Sequence, residues 1–214
     1  PTIIDGTREG AQLAAIVSDP ALPIDFIAYH PYEHMGDLND PALITLDLGS
    51  IFSRQFAFYH DLTNVVALNG RDPKTIEYAA TEVNVSYWDI NDTPKEAQIA
   101  HALGTVETVF AHARLGLVAS HYWIYPASQY YGTEYPLFKA YQGLRDHMGD
   151  TLLSIYAYGD TRVYTTRDSR TVELAVWALN FSNQDQASVD LEFQVQPQLA
   201  HATLVRLQGL SGTT

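Results

Sequence analysis

The pattern of the chain changes at Gly149, and that change limits its architecture more than any other feature. Before it, apolar spacing switches back and forth between the helical and the extended period. Residues 7–17 have the spacing of a short helix, 24–30 of a strand, 49–62 of a helix and 75–83 of a strand. Residues 95–115 are again helical, 117–124 extended and 137–148 helical. The punctuation agrees. Asp19-Pro20 stops the first helix, Asn69-Gly70 and Asp72-Pro73 mark turns, and Gly116 follows a helix as a C′ glycine does. Helix–strand alternation implies parallel strands joined by right-handed crossovers. Three strands cannot close a barrel, which needs eight. Residues 1–149 are therefore either a small open sheet or the back part of a (β/α)8 barrel, with its front strands outside this chain.

After Gly149 only strands remain, at 152–158, 162–166, 172–180, 187–195 and 202–207, separated by polar turns. Successive strands without helices predict an antiparallel sheet or β-sandwich over 150–214. The expected fold class is α/β plus all-β: a small open sheet or the last three strands of a TIM barrel, then a sandwich. Residues 172–180 are apolar on both faces and predict a central strand. Its Trp177 serves the core or, in a carbohydrate-binding module, a sugar platform.

Charge narrows the choice of partner. Asp and Glu number 25 against 12 Lys and Arg, a net of −13, which argues against nucleic acid and anionic membranes. No cysteine is present, so disulfides, zinc–thiolate sites and iron–sulfur clusters are excluded. No apolar run reaches membrane-spanning length and no signal peptide is seen. Pro1 rather than Met stands first, so the natural start is expected upstream, and a secreted or extracellular location stays open. Phosphate-binding glycine loops and Ser-His-Asp nucleophile motifs are missing. His30 and His34 lie four apart, but Pro31 between them denies them a common helix face, so no metal pair is expected. No cofactor is expected either. Three Trp, fourteen Tyr and eight Phe supply aromatic surface suited to a core and to stacking on flat apolar ligand faces.

Within the stretch 75–86, strict alternation sets Ile76, Tyr78, Ala80 and Glu82 on one face. An ionised carboxylate at the end of such a row needs a partner or a task. A polar loop follows at once, and the carboxyl end of a parallel strand is where α/β barrels keep their chemistry. Capping that loop, or pairing with a surface lysine, is the plainer reading of Glu82.

Three motifs carry a resemblance. Residues 24–32 read Ile-Asp-Phe-Ile-Ala-Tyr-His-Pro-Tyr, 81–86 read Thr-Glu-Val-Asn-Val-Ser, and 121–124 read His-Tyr-Trp-Ile. In order and spacing they resemble the sixth, seventh and eighth strands of the clan A (β/α)8 retaining glycoside hydrolases, with families 51 and 39 as the nearest likeness. Those families also carry a β-sandwich.

The resemblance implies that Glu82 is the catalytic nucleophile and that Tyr32 donates a hydrogen bond to it. It also implies that His30 lines the same subsite, that Trp123 forms a floor for the sugar, and that Asn84 belongs to the binding block or supports its loop. His121 has inward parity but no assigned role. The substrate would be a polysaccharide or oligosaccharide.

Two departures stand out. Val83 replaces a bulky aromatic. No Asn-Glu pair, the signature of the acid/base, occurs anywhere in the chain. The loop acids Glu33, Asp37 and Asp89 are not singled out by spacing. The acid/base is therefore expected on a missing N-terminal barrel half or on a partner chain. Three strands with open edges are expected to be inactive and poorly soluble alone. A non-catalytic sugar-binding protein on this scaffold, and a structural subunit completing a barrel with another chain, remain the alternatives.

Overall fold

The computed structural model describes residues 8–32, 51–85, 99–123, 136–182 and 203. Its first part contains α1 (Arg8–Val17), β1 (Phe26–Tyr29), α2 (Ile51–Leu68), β2 (Glu77–Val83), α3 (Ile99–Leu115), β3 (Ala119–Tyr122) and α4 (Pro136–His147). The second part contains β4 (Thr151–Tyr158), β5 (Thr161–Arg167) and β6 (Leu174–Asn180). Helix α2 runs six residues beyond the expected stop at 62, because Leu62 and Val66 continue the buried stripe of Ile51, Gln55 and Phe58. The strands expected at 187–195 and 202–207 lie outside the described residues, apart from Thr203.

β1, β2 and β3 form a parallel sheet in sequence order. Ile27 and Tyr29 of β1, with Ile76 and Tyr78, pack against Leu13 and Val17 of α1 and Leu62 and Val66 of α2. Ser120 of β3 meets His112 of α3 at 2.8 Å, and the ring of Tyr122 meets Tyr141 of α4 edge to face. All four helices thus lie on one face of the sheet. Consecutive strand order with crossovers of one hand produces this arrangement. Phe26, Ala28 and His121, on the other face, are exposed. A groove of about 400 Å³, lined by Leu13, Ile16, Ile24 and Phe26 among others, lies beside β1, whose far edge has no strand partner among the described residues.

One guanidinium fixes how the chain enters β1. Arg71, beyond the end of α2, donates to the carbonyls of Val17, Asp19 and Leu22 at 2.6, 2.5 and 2.7 Å. These carbonyls include the last of α1, which has no acceptor role inside the helix.

β4, β5 and β6 form an antiparallel sheet with β5 in the middle. Among the described residues β5 has a partner on each side, and β6, in the 172–180 segment expected to be central, pairs with β5 along one edge, while the strands expected after it lie outside the described residues. β5 also carries polar contacts: Arg162 reaches Glu107, and Thr166 accepts from Trp177 Nε1 at 3.3 Å. The expected start of β6 at 172 moves to Leu174, since Val172 takes φ 63° in the preceding turn. Trp177 packs edge-on against Phe110 of α3, 5.6 Å between ring centroids, so it serves the core.

Both parts share one apolar cluster. Ala102, Val106 and Phe110 of α3 and Ala140 and Leu144 of α4 meet Tyr164 and Leu179 of the second sheet. Phe110 and Tyr164 stack with ring centroids 4.2 Å apart and their planes nearly parallel. Within the same contact Glu107 of α3 is fully buried, accepting from the Tyr164 hydroxyl, with Arg162 Nε 3.5 Å away. Burial raises the Glu107 carboxyl above its ordinary range, and Tyr164 and Arg162 offset part of that rise. The chain crosses between the two parts at Gly149, where a Cβ would overlap the backbone of Arg167 and Asp168.

Candidate active site

The candidate residues come together at the carboxyl ends of β1, β2 and β3, and the backbone explains how. Ala80 pairs with Ser120, and Val83 with Tyr122, so three steps along β2 match two along β3. That surplus residue is a β-bulge. Ser120 and Tyr122 both face the helices, so Ala80 and Val83 do too, although their numbers differ in parity. Ile76 and Tyr78 also lie in the helix-packed core. Glu82 consequently emerges on the opposite, helix-free face, away from the row that strict alternation assigned to it. A period-two pattern cannot register an inserted residue.

The bulge has a second effect. In a regular strand, neighbouring side chains point to opposite faces. Here His30 touches both Thr81 and Glu82: its Nε2 lies 3.1 Å from Thr81 Oγ1 and its Nδ1 lies 3.4 Å from Glu82 Oε2. A neutral imidazole with its proton on Nδ1 faces the carboxylate with a donor and leaves Nε2 to accept from the threonine hydroxyl.

Tyr32 approaches the same oxygen. Its hydroxyl donates to Glu82 Oε2 at 2.8 Å. The amide of Tyr32 donates to the carbonyl of His30 at 3.2 Å, a turn of three residues around Pro31. The fixed φ of proline is close to what an inverse γ-turn requires at its centre. His30 and Tyr32, two apart in sequence, are thereby directed at one carboxylate oxygen. Glu82 keeps 29% of its side chain exposed, enough for a ligand to reach it.

Trp123 follows β3 at the same end of the sheet, with its amide donating to Val83 O at 2.9 Å and 41% of its surface exposed. Asn84 is arranged differently. It is 3% exposed, its Nδ2 donates to Trp123 O at 2.7 Å and its Oδ1 meets His101 Nε2. Its amide therefore holds the backbone of Trp123 from behind, which fits the supporting role. His121 is exposed on the helix-free face. Glu33, Asp37 and Asp89 lie outside the described residues.

Three residues behind the rim were not singled out by the sequence. Gln55 is fully buried, with Nε2 donating to Pro31 O at 3.2 Å and Oε1 lying 2.6 Å from His112 Nε2. His112 also meets Ser120, and burial lowers its imidazole to about 4. His101 meets Asn84 and lies 3.2 Å from the Tyr122 hydroxyl. The available signal was a polar side chain inside an apolar helical stripe, as Gln55 is among Ile51, Phe58 and Leu62.

No protein-family model matches the chain, and no curated protein matches it. The likeness to the retaining hydrolases is carried by the three motifs alone. Among the described residues no three His, Asp or Glu side chains group as metal ligands, and no helix is long and apolar enough to cross a membrane.

Proposed function

We propose that this chain contributes the nucleophile to a retaining glycoside hydrolase and forms the last three strands of its (β/α)8 barrel, followed by a β-sandwich. The observation that carries the reading is the 2.8 Å hydrogen bond from Tyr32 to Glu82 Oε2 at the carboxyl ends of adjacent parallel strands. Helices on one face only, and a β1 edge without a partner among the described residues, support the barrel portion of the proposal.

In this reading Tyr32 and His30 hold Oε2, and Oε1 attacks the anomeric carbon. The bond to the leaving oxygen breaks as that oxygen takes a proton from a carboxylic acid outside this chain, about 5–5.5 Å from Glu82. The glycosyl ester on Glu82 is then hydrolysed by water, activated by the same acid in its basic form, with net retention of configuration. Trp123 offers an apolar floor to the sugar ring, and the substrate is an oligosaccharide or polysaccharide.

Glu82→Gln in the assembled enzyme tests this directly. Hydrolysis of an aryl glycoside should fall by about 10⁴-fold, while sugar binding, followed by tryptophan fluorescence, survives. A wild-type assembly that binds sugars without cleaving them would replace this proposal with the sugar-binding reading. A Glu82→Gln variant of undiminished rate would end it.

A further inference from the structure

Two buried histidines on α3 stand behind the rim in equivalent arrangements. His112 Nε2 meets the side-chain oxygen of Gln55, whose NH2 donates to Pro31 O, between His30 and Tyr32. His101 Nε2 meets the side-chain oxygen of Asn84, whose NH2 donates to Trp123 O. An amide oxygen only accepts, so in both pairs the imidazole proton sits on Nε2. For neutral His112 this leaves Nδ1 to accept from the Ser120 hydroxyl at 2.8 Å. The histidines are eleven positions apart, about three turns at ~3.6 residues each, so they share one face of α3. Both are at most 2% exposed, and Gln55 and Asn84 are at most 3% exposed.

The two carbonyls so held lie on either side of Glu82. Pro31 O belongs to the turn after β1, and Trp123 O to the segment after β3. In a buried setting such amide–imidazole pairs have few alternative arrangements, because any unpaired member would lose its hydrogen bond without gaining water.

We propose that His112 with Gln55, and His101 with Asn84, are positioning residues for the Glu82 site. The first pair sets the turn that directs His30 and Tyr32 at Glu82, and the second sets the backbone of Trp123. None of the four touches substrate. This rests on the hydrolase reading for its functional meaning, but the geometry it asserts is measurable without turnover.

The test uses the intact protein, labelled with 13C at tyrosine Cζ and 15N in histidine and tryptophan, with Tyr32 assigned by Tyr32→Phe and Trp123 by Trp123→Phe. In the wild type, His112 and His101 should both show the Nε2–H tautomer. Gln55→Met and His112→Leu should shift the Tyr32 Cζ resonance. His112→Gln, whose amide can occupy the position of Nε2 and still donate to Gln55, should leave that resonance in place. A surface change on the helix of Gln55, Asn64→Ala, should leave it in place as well. For the second pair, His101→Leu should shift the Trp123 backbone amide and His101→Gln should not.

A folded Gln55→Met protein with an unmoved Tyr32 signal would overturn the proposal, even if its melting temperature drops. So would an Nδ1–H tautomer at His112, which needs no variant to detect. If Glu82→Gln retains full hydrolysis while these shifts appear, the hydrolase reading fails and the positioning geometry stands.

Discussion

A glutamate meets a tyrosine hydroxyl in two regions of this molecule. At the rim, Tyr32 donates to Glu82; under the second sheet, Tyr164 donates to Glu107. The chemistry of the pair is the same and its surroundings are opposite. Glu82 keeps 29% exposure and has a histidine beside it, whereas Glu107 has none and has an arginine beside it. Glu107 joins helix to sheet, since its partners Arg162 and Tyr164 lie on β5 while it lies on α3. A carboxylate–tyrosine contact therefore does not by itself mark a site for chemistry. Under the proposed function, access to solvent and the strand end that grants it make the difference.

The most forceful way to break the comparison is to neutralise each acid in turn. Glu82→Gln should cost about 10⁴ in hydrolytic rate and leave the urea midpoint unchanged. Glu107→Leu should do the reverse. It strips Arg162 of its carboxylate and should lower stability by about 3–5 kcal/mol, with the rate per folded molecule preserved. Paired urea titrations and initial rates on both variants read the two axes. If Glu107→Leu abolished activity in a fully folded sample, the division between the regions would be wrong.

Acid separates the regions next. His112 titrates at 6.5 in the unfolded chain and about 4 in the folded one, because burial penalises the imidazolium. Between those values the unfolded chain holds the extra proton. Stability from this group is therefore complete above about pH 6.5 and drains away as pH falls through 4, by about 3 kcal/mol in all. Glu107, raised by burial, works in the other direction and gains stability as it takes a proton. Urea unfolding of wild type and His112→Gln at pH 7 and pH 4.5 isolates the histidine, whose contribution is the part of the pH slope that the variant lacks. Equal slopes would contradict its burial as a neutral base.

The gentlest comparison removes only the hydroxyls. Hydrogen bonds to charged groups are worth about 1.5–3 kcal/mol. Tyr32→Phe should slow hydrolysis by about 10- to 100-fold with little change in melting temperature. Tyr164→Phe should lower stability by about 1.5–3 kcal/mol with little change in rate.

These two regions were not equally legible in the sequence. The helix–strand alternation was visible because each element repeats its apolar spacing, and the Thr-Glu-x-Asn-x-Ser block directed attention to Glu82. The face on which Glu82 lies was not visible, since the bulge after Ala80 adds one residue and reverses the parity. A supporting role for Asn84 was open in the sequence, but its partners, His101 and Trp123 O, lie 17 and 39 residues away and were not visible. Glu107 left almost no trace. In a helix it sits among Thr105, Thr108 and Phe110, and only the arrival of Arg162 and Tyr164, more than fifty residues later, makes a buried acid tolerable. Long-range pairing of this kind has no local signature.

The crossing at Gly149 predicts how variation should be distributed in any set of related sequences. At Gly70, Gly116 and Gly159 a Cβ meets nothing within 4 Å and only the backbone angle favours glycine, so asparagine or aspartate can stand in. At 149 no such exchange is open, because the first carbon of any side chain would collide with the main chain of Arg167. Tolerance at three turns and invariance at the fourth would be the evolutionary imprint of two strands of backbone passing in contact.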